Sequence, residues 1–163
     1  TLLVLMKWKN QNRLKQHTVI AIKSNHHLYL KQYLIKKNLK AYDRVNKEIK
    51  SAEHFFNSAK RVFEIKEYSL AVISSYNSCF HFTRALLFKN NYIEKSHYCL
   101  IEAVRELYKK DKEILNLMEE FDEVRMSRHE IQYRGVFSDD EEAKYVLELN
   151  KKLKKKTSDL LNL

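Results

Sequence analysis

Proline is absent from the 163 residues of this chain, and glycine occurs once, as Gly135. Proline interrupts helices and glycine supplies the positive φ of tight hairpin turns, so long unbroken helices are favoured and a turn-rich all-β fold is not. One glycine also excludes the glycine-rich loops that cradle phosphates. The two cysteines, Cys79 and Cys99, lie far apart in apolar contexts with no CxxC pair. They read as small buried thiols in a reducing cytoplasm. No HExxH, no Gly-x-Ser-x-Gly, no EF-hand loop and no pair of Glu-x-x-His motifs occurs. A metal-dependent nuclease would want carboxylates clustered inward. The acidic runs Glu119-Glu120-Asp122-Glu123 and Asp139–Glu142 read instead as a helix flank and a cap, so neither metal nor cofactor is expected. The apolar start, Leu2 to Met6, is far too short to span a bilayer and lacks the order of a signal peptide. A cytoplasmic protein with no membrane segment is the expectation.

What remains is long enough for one domain with a real core, since a chain of this size buries roughly 70% of the surface it exposes unfolded. The net charge of +10 is uneven. Residues 1–50 hold 12 Lys+Arg against 2 Asp+Glu, and residues 51–163 hold 19 against 19. All the excess lies in the first third, which reads either as an arm for nucleic acid or an acidic partner, or as a solvated leader. Residues 1–38 are set apart as a basic extension, partly helical near Leu28–Asn38, and residues 39–163 as the domain. His17, His26 and His27 have no Cys, Asp or Glu among them, which argues against a metal site there.

From Ala41 to Ile65, the residues Val45, Ile49, Ala52, Phe56, Ala59 and Phe63 recur at three- and four-residue steps, the signature of an amphipathic helix. Ser69 to Lys89 is apolar nearly all round and should be the buried central helix. Within it Asn77, His81 and Arg84 need partners or a cleft to face. Ser96 is an expected N-cap for a helix from His97 to Lys109, and Asp111 for the next, which carries Ile114, Leu117, Met118, Phe121 and Val124 inward. Gly135 stands where a left-handed residue ends that helix. Ser138-Asp139-Asp140-Glu141 has capping-box spacing at the head of the last helix, which runs to about Leu160. The fold class is all-α, an antiparallel up-and-down four-helix bundle.

Val124 to Gly135 concentrates three arginines, a histidine and a tyrosine in twelve residues. On a helix Arg125, His129 and Tyr133 share one face, and Arg128 and Gln132 form the neighbouring row. The guanidinium fork suits phosphate, and histidine trades a proton near neutral pH. Such a cluster binds a phosphodiester or helps cleave one. The plainer alternative is a polar face whose cations favour the helix C-terminus.

Three stretches together resemble a known family. Tyr76-Asn77-Ser78-Cys79-Phe80-His81-Phe82-Thr83-Arg84-Ala85-Leu86-Leu87 is similar to the Tyr-x-x-x-Phe-His-x-x-Arg-Ala-Leu-Leu helix of HEPN-domain proteins. Tyr92 to Cys99 resembles the loop that follows it in an archaeal branch. Arg125-Met126-Ser127-Arg128-His129-Glu130-Ile131-Gln132-Tyr133 resembles that branch's Arg-x-x-Arg-His-x-x-x-Tyr segment. The resemblance spans about residues 40–162.

It implies a four-helix bundle that pairs as a homodimer. Active members are metal-independent endoribonucleases, several of them toxins paired with a small nucleotidyltransferase, and others bind nucleotide or RNA without cleaving it. Their motif is Arg, a polar residue, then His after four to six intervening residues. The Arg steadies the phosphate and the His moves the ribose proton. Here Arg128 takes the Arg position and His129 the polar one, but Tyr133-Arg134-Gly135 stands where the histidine belongs. Pairing Arg125 with His129 leaves only three residues between. A phenol such as Tyr133 is a poor base at neutral pH. Two readings follow: a nucleotide- or RNA-binding module using Arg125, Arg128, His129, Tyr133, His81 and Arg84, or an RNase in which His129, beside Arg128, has taken the proton role. A third is a module that only docks a nucleotidyltransferase.

Overall fold

The computed structural model describes residues 35–163. It holds a short strand β1 (Ile35–Lys37), a 3-10 turn (Tyr42–Arg44), α1 (Val45–Glu64), α2 (Tyr68–Lys89), β2 (Tyr92–Glu94), α3 (His97–Leu107), α4 (Lys112–Arg134) and α5 (Asp140–Leu161). Apart from the two strands the described fold is helical, as the absence of proline and the single glycine favour.

The stripe read on α1 is the face that it buries: Val45, Ala52, Phe56 and Ala59 are buried, with Ile49 and Phe63 partly so. α2 is the central helix and packs against α1, α3, α4 and α5. It buries residues on all sides, from Ala71 and Val72 through Tyr76, Cys79 and Phe82 to Phe88. Its most open residue is Leu70 near the start, and Asn77, Phe80, His81 and Arg84 are partly exposed. Both cysteines are buried and free. No helix among the described residues is long and apolar enough to cross a membrane.

The helix ends follow local chemistry. Ser96 Oγ accepts from the Cys99 amide at 3.2 Å, and Asp111 Oδ1 accepts from Ile114 at 3.1 Å. Gly135 ends α4 at φ 66°, in the left-handed region. The head of α5 differs from the expected box led by Ser138. The helix starts at Asp140, so Asp139 is the N-cap and accepts from the Glu142 amide at 2.9 Å. Ser138 instead gives its hydroxyl to Glu142 Oε2 at 2.6 Å, and its amide donates to Ser69 Oγ on α2 at 2.9 Å. That last bond holds Ser138 outside the helix.

β1 is the second departure. A short helix was expected near Leu28–Asn38, and the described part of that range is strand. β1 pairs antiparallel with β2, Ile35 opposite Glu94 and Lys37 opposite Tyr92. The pairing satisfies backbone groups that a single helical turn would leave open, and it buries the Ile35 side chain. The rest of that range, the apolar start and His17, His26 and His27 lie outside the described residues.

Candidate functional site

Arg128 occupies a position where the core stripe of α4 would call for an apolar residue. Ile114, Leu117, Met118, Phe121 and Val124 are buried in helical sequence, and the next inward steps fall on Ser127 and Arg128. The guanidinium of Arg128 lies over the ring of Tyr76 on α2, 5.2 Å from its centroid, and 5.7 Å from that of Tyr133. Its Nε is buried and has no hydrogen-bond partner. Arg84, Arg125 and Arg134 each pair with a carboxylate, whereas Arg128 pairs with none among the described residues. Residues 1–34 contain no Asp or Glu that could supply one.

Beneath Arg128, the fully buried Tyr76 donates its hydroxyl to His97 Nδ1 at the head of α3. Burial pushes the Tyr76 phenol up to about 12, which the charges of Arg128 and Arg125 only partly oppose, so it stays protonated and donates. His97 is held below its ordinary value, first because protein crowds its ring and then because Arg128, Arg84 and Arg125 repel a further positive charge. A neutral imidazole whose Nδ1 accepts carries its proton on Nε2, a tautomer assigned from the hydrogen bond. Arg128 and His97 therefore face the surroundings as donors. An anion suits such a site, and a base for abstracting a proton is not available from His97 in this state.

Arg125 is partly compensated: its Nε meets Asp122 Oδ1 at 2.7 Å, and its guanidinium lies 5.9 Å from the Tyr98 ring centroid. His129 is exposed and packs its ring 4.9 Å from that of Tyr133, itself 66% exposed. His81 and Arg84 belong to a neighbouring cluster. His81 Nδ1 lies 2.7 Å from Glu48 Oε2, and Arg84 reaches Glu94 Oε1 at 2.7 Å and Glu48 Oε1 at 3.7 Å. Burial alone would raise Glu48, but the His81 hydrogen bond and the charges of Arg84 and Arg44 bring it below its ordinary value. Among the described residues no group of three or more His, Cys, Asp or Glu is placed to hold a metal ion.

This arrangement spans the α2, α3 and α4 stretches that carried the resemblance, and a family model for the HEPN domain matches residues 45–160. The chain belongs to the HEPN domain family. No curated protein matches it.

In this HEPN domain the structure gathers Arg125 and Arg128 around Tyr76 and His97. His129 and Tyr133 stand on the outer turn, with Arg128 touching the Tyr133 ring. His81 and Arg84 adjoin through Phe80, whose ring is 4.2 Å from His97 and 5.5 Å from His81. Sequence reading missed Tyr76 and His97 as site residues. Both lay in stretches already marked by resemblance, but His97 was weighed only as the first residue of a helix. A tyrosine on an otherwise apolar helix, whose hydroxyl needs a partner once buried, was the available signal.

Proposed function

We propose that this HEPN domain is a nucleotide- or RNA-binding module that grips a phosphate with Arg128, aided by Arg125 and the Nε2–H of His97, with His129 and Tyr133 at the rim. One observation carries the reading: a half-buried arginine with an unpartnered Nε and no carboxylate, in a site that offers donors. A phosphate oxygen would satisfy that donor and offset the charge.

A second reading is a metal-independent endoribonuclease of the toxin type acting through Arg128 and His129. Its support is that His129 is solvent-exposed and adjoins Arg128 on the same helix. Under either reading we take the four long helices as an antiparallel up-and-down bundle that forms a homodimer in the cytoplasm, with residues 1–38 as a basic extension whose end, Ile35–Lys37, joins the domain as β1. A small nucleotidyltransferase is the protein partner we favour, as in a toxin–antitoxin pair, and the archaeal branch is the nearer kinship.

The test is binding of a labelled oligoribonucleotide in EDTA by the wild type, Arg128→Ala, His129→Ala and Arg134→Ala. Arg134 is 66% exposed and paired with Glu130, and serves as the control. Arg128→Ala should weaken binding about tenfold or more, and flatten the slope of log affinity against log salt by about 0.7 for the lost phosphate contact. Equal affinity of Arg128→Ala and wild type would remove the binding reading. RNA cleavage lost in both Arg128→Ala and His129→Ala would establish the nuclease instead.

A further inference from the structure

Phe55 is an aromatic residue that the core does not account for. It lies off the stripe of α1 and is half-buried, while its neighbour Phe56 is the buried core residue. Its ring stacks on that of His81, with centroids 5.5 Å apart and planes 8° from parallel. The series of rings continues from there. His81 to Phe80 is 5.5 Å, Phe80 to His97 is 4.2 Å, and His97 to Tyr76 is 5.8 Å. The Tyr76 ring is the one that carries Arg128. One unbroken band of rings thus joins Phe55 on α1 to the candidate phosphate site on α4. Four of its members keep solvent contact: Phe55, Phe80 and His81 in part, and His97 largely.

Charge differs along the band. At the Arg128 end a cation lacks a carboxylate partner. At the Phe55 end Arg84 is met by Glu94 and Glu48, and the His81 ring nitrogen is met by Glu48. A compensated, ring-lined end suits an uncharged flat group better than a second phosphate. A base offers its face for stacking only when it is unpaired and unstacked, so duplex RNA does not fit such a band. A mononucleotide would leave part of the band uncovered.

Resting on the phosphate-binding reading of Arg128, we infer that the ligand is single-stranded RNA of more than one nucleotide, with a phosphate at Arg128 and a base further along the strand stacked at the Phe55–His81 end.

The experiment compares AMP, an eight-nucleotide oligoadenylate and a 16-base-pair RNA duplex on the full chain, by anisotropy and competition. The variants are Phe55→Leu, which keeps apolar bulk but removes the aromatic face, and Arg128→Ala. A thermal melt establishes that each is folded. Phe55→Leu should weaken the oligoadenylate about fivefold or more and leave AMP unchanged, and the duplex should bind more weakly than the single strand. Undiminished oligoadenylate affinity in folded Phe55→Leu would overturn the inference, as would a duplex binding as tightly as the single strand. If Arg128→Ala weakens AMP and oligoadenylate while Phe55→Leu weakens neither, the stacking subsite alone fails. If Arg128→Ala weakens nothing, the phosphate reading beneath it fails.

Discussion

Asn150 should be the most costly polar residue to lose from the core. It is fully buried on α5, its Nδ2 donates to Ser75 O at 3.2 Å, and its Oδ1 lies 3.0 Å from Ser78 Oγ. Ser78 Oγ also lies 2.7 Å from Ala52 O, so this one amide links α5 to α2 and, through the hydroxyl, to α1. In Asn150→Ala, Ser78 keeps Ala52 as its acceptor and is not orphaned. The hydroxyl has one proton to share between those two acceptors, so the net loss is the one bond from Nδ2, at about 1 kcal/mol, plus about 0.5–1 kcal/mol for a small unfilled cavity. The expected total is about 1.5–2 kcal/mol. Asn150→Asp turns the donor facing Ser75 O into an acceptor and buries a charge, adding at least about 2 kcal/mol at neutral pH. Part of that addition should return on acidification, as the new carboxyl takes up a proton. Urea unfolding followed by circular dichroism, with unchanged denaturant slope, measures both. A loss under about 0.5 kcal/mol for Asn150→Ala would refute the reasoning, as would an Asp variant no worse than Ala at pH 7. The result bears on the site because the α2 seated by Asn150 carries Tyr76, Phe80, His81 and Arg84.

Gly135→Ala meets no atom within 4 Å of the new Cβ but must hold φ at 66°, so it should cost about 1 kcal/mol in thermal unfolding, and Gly135→Asn less. Asp139→Ala should cost about 1 kcal/mol and more than Ser138→Ala, since Asp139 is the cap. His97 has a folded value depressed below 6.5, so the unfolded chain takes the proton first. Its contribution to stability is complete above about 6.5 and declines as pH falls below that. Denaturant titrations of His97→Gln should show that part of the pH profile flattened. Tyr76→Phe removes the hydroxyl that fixes the tautomer, and the ring nitrogen shifts of His97 in long-range proton–nitrogen spectra should move toward a mixture.

Much of the fold could be read before any coordinates. Val45 to Phe63 repeat over five turns, long enough for periodicity to be unambiguous, and Ser96, Asp111 and Gly135 are residues whose own chemistry marks a helix end. The two-stranded sheet was not legible, because strands as short as Ile35–Lys37 and Tyr92–Glu94 show no alternation and their pairing crosses more than fifty residues. Asp139 was passed over for Ser138 because both are good caps, and the Ser69 contact that decides between them is tertiary. The arginines of α4 were legible as a cluster because they sit on one helix. Tyr76, His97 and Phe55 come from three different helices, and only packing brings them into one row. Arg84 and Arg128 look alike in sequence, yet one meets Glu48 and Glu94 while the other meets no carboxylate, a difference set by distant residues.

The antiparallel pairing of β1 with β2 also fixes an attachment point. Ile35 lies opposite Glu94, three residues before His97. The chain preceding Ile35 carries six Lys+Arg and no Asp or Glu, and it joins the domain beside the head of α3. A polyanion held at Arg128 would meet cations that belong to the same chain, at an effective concentration independent of how dilute the protein is. Detaching residues 1–34 would then slow arrival of such a ligand and hasten its loss.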